Sequence, residues 1–333
     1  MFAEAIASIL AEQCTPTVVR AIEGGASPQP LAAAIADAGF HELMAAEAQG
    51  GGGAGWREFF DVVTLCGSHA VPLPLAQTLA ARAIASNPQD LPAGLITFAP
   101  SLARGPDGSL HAQHVPVART ASHVIAADGQ ALVLLSVSDA HQLPSGVHGS
   151  LSASLRWKAG AGQPLPAQVD PVQFQALGAL LHAGLLAGAS KRAFDLTMAY
   201  ANERTQFGKP IGKFQAIQHQ LSVMAEHVAA GRMAAEAAFA CDSGLPTVAA
   251  CAVAKARTSE AAQMIASIAH AVHGAIGVTD EYDLQLYTRR LHDWRTAHGS
   301  EAHWHRLLGR LFVDSTQPLA GDFVRTLFQG LPA

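Results

Sequence analysis

Residues Arg204-Thr-Gln-Phe-Gly208 place a permanent cation, an aromatic ring and a glycine close behind a long helical pattern. An arginine there offers a rigid donor fork suited to a pyrophosphate. A ring followed by a glycine, which permits close backbone approach, can hold a flat ligand. The same residue types also have plain structural uses: an arginine solvated at a helix end, a core phenylalanine, a turn glycine. A second group, His298, His303 and His305 with Asp293, invites a metal reading. On a helix, His303 and His305 point about 200° apart and cannot share an ion. No His-Glu-x-x-His or Cys/His ligand spacing occurs, so no metal site is expected and the histidines read as surface and interface residues. The chain also lacks a Gly-x-Ser-x-Gly elbow and a P-loop, which removes the main support for hydrolase or nucleotide-hydrolysing chemistry.

Three stretches of different character must position these residues. From residue 2 to about 90 the pattern is one of short helices. Phe2 to Glu12, Gln29 to Ala38 and Trp56 to His69 carry apolar residues at helical spacing, with Phe59, Phe60, Val63 and Leu65 as core candidates. The glycine run from Gln49 to Gly55 follows a helical segment rather than a strand, so it reads as a flexible connection and not as a dinucleotide fingerprint. Between about 94 and 165 the runs Leu95–Ala99, His123–Ala126 and Ala131–Val137 are β-type, separated by turn signals at 105–108 and 128–129. They predict a small β module of a few strands, too small for a full sandwich.

From Pro171 onward the helical signal is strongest. Phe174 to Asn202 is one long segment. In the next, Phe214 to Phe239, Ile217, Leu221, Met224 and Val228 form one bundle stripe. Pro246 to His273 is a third helix, and Tyr282 to Phe312 a fourth, broken near His298-Gly299. The reading is mainly α: an N-terminal helical domain (1–93), a reduced β domain (94–167) and a C-terminal four-helix bundle (168–333). The small residues Gly178, Ala179, Ala183, Gly184, Ala187 and Gly188 on the first bundle helix provide either close packing or room for a bulky ligand.

Composition bounds the function. The 333 residues are 50% apolar, which excludes wholesale disorder, and 14% charged with a net charge of −5. Dispersed basic residues argue against a nucleic-acid partner. Four cysteines without a Cys-x-x-Cys pair read as buried thiols in a reducing compartment. No basic leader precedes an apolar run, and the softest stretch, Ala176 to Ser190, is too short for a bilayer span. A cytoplasmic protein with no membrane span is therefore expected.

The run Ala201-Asn-Glu-Arg-Thr-Gln-Phe-Gly-Lys-Pro-Ile-Gly-Lys-Phe-Gln-Ala-Ile-Gln-His219 resembles the acyl-CoA dehydrogenase family, whose signature here is Arg-x-x-Phe-Gly, then Pro-Ile, then Phe-Gln-x-x-Gln. His273-Gly-Ala-Ile-Gly-Val-Thr-Asp-Glu-Tyr282 is similar to that family's His-Gly-Gly-x-Gly-Phe-Thr-x-Glu-Tyr loop, and Tyr287-Thr-Arg-Arg-Leu to the Tyr-x-Arg-Asp run after it. The resemblance implies an acyl-CoA dehydrogenase-like fold and FAD as cofactor. It implies that Arg204, Phe207, Gly208, His273 and Gly274 contact the dinucleotide, in part across a subunit boundary. It further implies an acyl-CoA substrate and an electron-transfer acceptor.

The family's chemistry needs a carboxylate to take the α-proton of the thioester as hydride leaves the β-carbon for the flavin. Matched to the family's Tyr-Glu-Gly-Thr run, Ala297-His298-Gly299-Ser300 puts His298 at the base position. The alternative base position on the first bundle helix falls at Gly178. The Thr-Glu-Pro loop that meets the flavin ring survives only as Thr97-Phe-Ala-Pro100, and a glutamine expected before the His-Gly pair is Ala271. Two readings result. One is a base-lacking subunit that supports a homologous catalytic subunit in a heteromeric enzyme acting on a bulky acyl-CoA. The other is a self-sufficient homo-oligomer using His298 as base. A flavin-free scaffold with this fold is the remaining alternative.

Overall fold

The computed structural model describes residues 2–241 and 244–328. Five helices open the chain: α1 (Phe2–Gln13), α2 (Pro16–Glu23), α3 (Gln29–Asp37), α4 (Trp56–Ser68) and α5 (Leu75–Ile84). Three were legible from periodicity; α2 and α5 were not. Phe59, Phe60 and Val63 are buried in α4 as expected, whereas Leu65 is only partly buried. The glycine run is a tightly folded loop rather than a slack connection. Its backbone donates from Gly51, Gly52, Gly53 and Ala54 to the carbonyls of Ala46, Glu42, Ala45 and Leu43, at 2.9–3.1 Å.

The middle of the chain is richer in strands than its pattern suggests. It contains β1 (Ile96–Phe98), β2 (Ala103–Arg104), β3 (Leu110–Val115), β4 (His123–Asp128), β5 (Ala131–Ser136), β6 (His141–Pro144), β7 (Ala153–Trp157) and β8 (Gln163–Leu165). These form two four-stranded sheets, in the orders β1-β4-β5-β8 and β2-β3-β7-β6. The sheets enclose a small core of their own, including Leu110, Val115, Val124, Leu135, Leu155 and Trp157. The small β module is as expected, but its eight strands in two sheets exceed the few strands, too small for a full sandwich, that the pattern suggests. The missed strands are short, and β3 and β6 carry polar residues that blunt the alternation signal. In β4, Val124 and Ala126 face this inner core while Ile125 joins the main helical core, so one strand ties the two cores together.

The remainder is the bundle. Helix α6 (Pro171–Glu203) is followed by the hairpin β9 (Thr205–Gln206) and β10 (Lys209–Pro210). Then come α7 (Gln215–Phe239), α8 (Val248–His273), α9 (Leu284–Thr296), α10 (Glu301–Val313) and α11 (Ala320–Leu327). The carboxylate of Asp170 caps α6, accepting from the Gln173 N–H at 2.8 Å with Pro171 in the first turn. Helices α6 and α8 are both long and apolar enough to cross a membrane, but 83% of the apolar window of α6 and half of that of α8 are buried inside the molecule. From Ala176 to Ser190 every residue of α6 is buried, the pattern of a helix packed on all sides.

Close approach to α6 depends on glycine. A Cβ on Gly188 would overlap the Thr64 carbonyl of α4, and one on Gly67 of α4 would overlap the Leu185 carbonyl. Each glycine lets the two backbones touch. Gly309 in α10, by contrast, has nothing near its missing Cβ. Gly188→Val is therefore expected to destabilise the fold by about 3 kcal/mol or more through overpacking. Gly309→Ala should be neutral or stabilising by up to ~1 kcal/mol. Chemical denaturation of the two variants against the parent checks the contrast.

Candidate functional site

The sequence candidates fall into two groups at different places in the molecule. The first lies where α6 and α8 end. Arg204 caps the C-terminus of α6, its N–H bonded to the Tyr200 carbonyl at 2.8 Å, and its guanidinium is exposed without a hydrogen-bonded or ionic partner among the described residues. The β9–β10 hairpin then turns through Phe207 and Gly208 at φ +52° and +82°. Both turn residues are left-handed, which suits glycine and strains a bulky side chain. Phe207 is nonetheless 91% exposed, its ring touching only Phe214 edge-on at 6.2 Å. A strained turn that holds a large ring in water is a cost the fold itself does not recover, which marks the position as a binding candidate.

His273 closes α8 nearby. Its ring stacks on Tyr200 at 4.4 Å and lies 5.1 Å from Tyr282, so the two sequence motifs meet through the Tyr200–His273 pair. The Nδ1 donates to the Ala269 carbonyl at 2.8 Å, while the buried Nε2 has no partner. Burial holds this imidazole below its ordinary value, hence neutral at pH 7. Gly274 follows at φ +64°, ψ −143°, a conformation open only to glycine, and is exposed. Arg204, Phe207, Gly208 and Gly274 thus share an accessible end of the bundle beside His273.

The second group sits between the β module and the α9–α10 break. Pro100 and His298 line one cleft of about 450 Å³ together with Gln113, His114, Pro116, His292 and Asp293. The two depleted positions of the sequence match therefore do converge. Thr97, however, is fully buried and donates to the Pro116 carbonyl at 2.6 Å, which leaves it unavailable to a ligand. His298 is 1% exposed, and neither ring nitrogen makes a well-formed hydrogen bond among the described residues, although the Phe98 backbone is near enough to favour the charged ring. Burial first, then the neighbouring His182 and Lys255, push its pKa well below the ordinary imidazole value. An imidazole that resists protonation is a poor proton acceptor, so the expectation of His298 as a base is not supported by its surroundings.

Two buried polar residues were not singled out from the sequence. His182 of α6 donates from Nδ1 to the Gly178 carbonyl at 2.8 Å and lies 5.2 Å from the His298 ring. Lys255 of α8 is fully buried and donates to Ser259 Oγ (2.9 Å) and to the Trp294 and Arg295 carbonyls (3.0 and 2.7 Å) at the end of α9. Burial lowers its amine to about 7, opposed by Glu301, while the three acceptors favour the ammonium form. The available signal was a polar residue interrupting an apolar, alanine-rich helix. The remaining histidines diverge: His303 is exposed against Trp304, His305 bonds Glu260 at 2.7 Å, and Asp293 accepts from Ser150 at 2.7 Å.

Comparison with known proteins places this geometry. Residues 173–310 match the acyl-CoA dehydrogenase, C-terminal domain model. The acyl-CoA dehydrogenase IpdE2 of Mycolicibacterium smegmatis is 30% identical over 302 residues, covering 87% of this chain and 90% of its own. IpdE2 of Mycobacterium tuberculosis is 29% identical over 314 residues, covering 88% and 90%. Among solved structures, the ChsE4-ChsE5 complex from Mycobacterium tuberculosis superposes with a TM-score of 0.81 at 21% identity, covering 95% of this chain and 97% of that one. A Tcur3481-Tcur3483 steroid ACAD variant gives 0.82 at 23%, covering 94% and 96%. The fold is that of an acyl-CoA dehydrogenase, mainly α with a small β module. The chain belongs to the acyl-CoA dehydrogenase family.

The buried imidazoles have a measurable consequence. Burial lowers His182 to about 3, so it stays neutral in the fold, whereas an unfolded histidine titrates near 6.5. A depressed pKa makes its contribution to stability fully present above about pH 6.5 and lost as pH falls below that value, by about 1.4 kcal/mol per pH unit. His182→Leu should lower the proton uptake on unfolding at about pH 5 by about one proton, read from the slope of unfolding free energy against pH. An unchanged slope would mean that this ring is already protonated in the folded protein.

Proposed function

We propose that this chain is a base-lacking subunit of a two-component acyl-CoA dehydrogenase, lending one edge of an FAD site to a homologous catalytic partner. The observation that carries the reading is the contrast between the two candidate regions. At one end of the bundle, the Arg204 guanidinium has no partner among the described residues and Phe207 is held outward in a strained turn. At the other, the two base positions hold Gly178 and a buried His298. A chain with this division can hold part of a cofactor but carries no carboxylate at either matched base position. The names ChsE4-ChsE5 complex and Tcur3481-Tcur3483 describe two-component relatives of the same fold, the second a steroid ACAD, which supports a heteromer and a bulky acyl-CoA.

In this reading Arg204 binds a phosphate oxygen of the dinucleotide through its fork. Phe207 and Gly208 pack against a flat part of it, and Gly274 lets the backbone approach closely. His273, neutral and with a free Nε2, accepts a hydrogen bond from the ligand or a bridging water. When bound, FAD supplies the hydride acceptor of α,β-desaturation. The α-proton goes to a carboxylate on the partner, since the two positions of this chain that match the family's base are Gly178 and His298. Electrons then pass to an electron-transfer acceptor. The parts 1–93, 94–167 and 168–333 serve as the working domain division, with residues 329–333 outside the described structure.

Purification of the chain with and without its homologous partner, followed by flavin absorbance, tests this. Stoichiometric FAD is expected only in the complex, with bleaching by acyl-CoA. Flavin and bleaching in the chain alone would overturn the proposal, as would their absence from the complex. Arg204→Ala should weaken FAD retention in the complex by roughly tenfold, the loss of a charge-assisted hydrogen bond. Unchanged retention would remove Arg204 from the site.

A further inference from the structure

The two positions at which this family places its base touch each other here. Gly178 lies in the second turn of α6, and a Cβ built on it would come within 2.8 Å of the His298 Cγ and closer still to Nδ1 and Cε1. The imidazole therefore occupies the volume that any side chain at 178 would need. Its own backbone is turned to put it there. His298 has φ +53° and Gly299 φ +99°, in the segment that joins α9 to α10. Trp304 Nε1 donates to the His298 carbonyl at 3.1 Å, fixing that turn from α10. Lys255 fixes it from α9 by holding the Trp294 and Arg295 carbonyls. On the far side His182, anchored to the Gly178 carbonyl, stands 5.2 Å from the ring at 34°. Neither His298 nitrogen makes a well-formed hydrogen bond among the described residues, the Phe98 backbone being its one polar neighbour of that kind. The ring is held by shape.

We propose that His298 is a plug: its imidazole fills the void left by Gly178 and seals this chain's own acyl-reaction site, so that the cleft beside it ends in a closed floor. This rests on the reading of the chain as a base-lacking subunit and deepens it. The site would then be filled with protein rather than merely short of a carboxylate. Pro100, Gln113 and His114 line the cleft on one side and Ala297, His298 and Gly299 on the other. An acyl thioester entering there meets the backbone of the plug and does not reach α6. Gly178 and His298 act as one size-matched unit, each tolerable only with the other.

A double-mutant cycle reads the proposal directly. Gly178→Ala should lower the thermal midpoint of the parent by roughly 5 °C through overlap with the ring. In a His298→Gly background, where the left-handed backbone is kept without strain, the same change should be neutral or stabilising. Millimolar imidazole should raise the midpoint of His298→Gly and bind it saturably by calorimetry. It should do neither to the parent, nor to His298→Leu, which refills the space without polar atoms. Diethyl pyrocarbonate should modify exposed His303 in the native chain and leave His298 untouched, read by peptide mass spectrometry. An equal cost of Gly178→Ala in both backgrounds, imidazole binding to the parent, or His298 labelling at the rate of His303 would overturn the plug. None of these measurements involves flavin or a partner, so failure here is distinct from failure of the two-component reading.

Discussion

Helix α6 works only because it lacks side chains where its neighbours come closest. Gly188 meets the backbone of α4 at Thr64, Gly184 meets Val63 and Phe239, and Gly178 meets the His298 ring. A helix buried on every face has no room for ordinary spacing on all of them at once. Glycine gives up about 1 kcal/mol of helix propensity per position relative to alanine. The return is dispersion contact along whole backbones, which accumulates over many atoms. The N-terminal helices, the bundle and the α9–α10 turn are all positioned by the spacing these glycines allow.

Electrostatics then fix the parts that α6 does not reach. Glu23 at the end of α2 is partly buried and takes Arg289 at 2.8 Å and Arg290 at 2.7 Å, while Arg20 reaches Asp283 at 2.8 Å. The same face of α9 grips the β module. Asp293 accepts from Ser150, and Arg289 donates to the His148 carbonyl at 2.5 Å. Forked arginines on a partly desolvated carboxylate hold geometry better than surface pairs do. The cleft wall is thereby rigid on its bundle side. The Arg20–Asp283 pair lies one residue from Tyr282, which packs on His273, while the Arg204 guanidinium has no ionic partner among the described residues.

Sequence patterns reached the bundle because its signals are long. The stripe Ile217, Leu221, Met224 and Val228 and the break at His298-Gly299 both appear where the pattern put them. Strands such as Ala103–Arg104 and His141–Pro144 carried too few residues, and too exposed, to register. The site was legible as a set of positions. Gly178 and His298 could be aligned with base positions, but alignment says nothing of which way a ring points. The burial of His298 follows from a left-handed backbone and a glycine well over a hundred positions earlier in the chain. A contact of that kind is set by tertiary packing. His182 and Lys255 were visible only as polar interruptions in apolar helices, and apart from Ser259 beside Lys255 their partners are backbone carbonyls, which carry no signature in sequence.

In the plug proposal the lack of a carboxylate and the lack of space are one feature, the contact between Gly178 and His298. A carboxylate introduced at 178 alone would collide with the His298 ring. A carboxylate introduced at 298 alone would sit in the same closed volume, beside His182 and near the buried Lys255, where desolvation and an adjacent cation compete to set its charge. Restoring a proton acceptor requires removing the ring, keeping room at 178 and opening the floor of the cleft together. This is the arrangement that the two-component proposal requires of a supporting subunit.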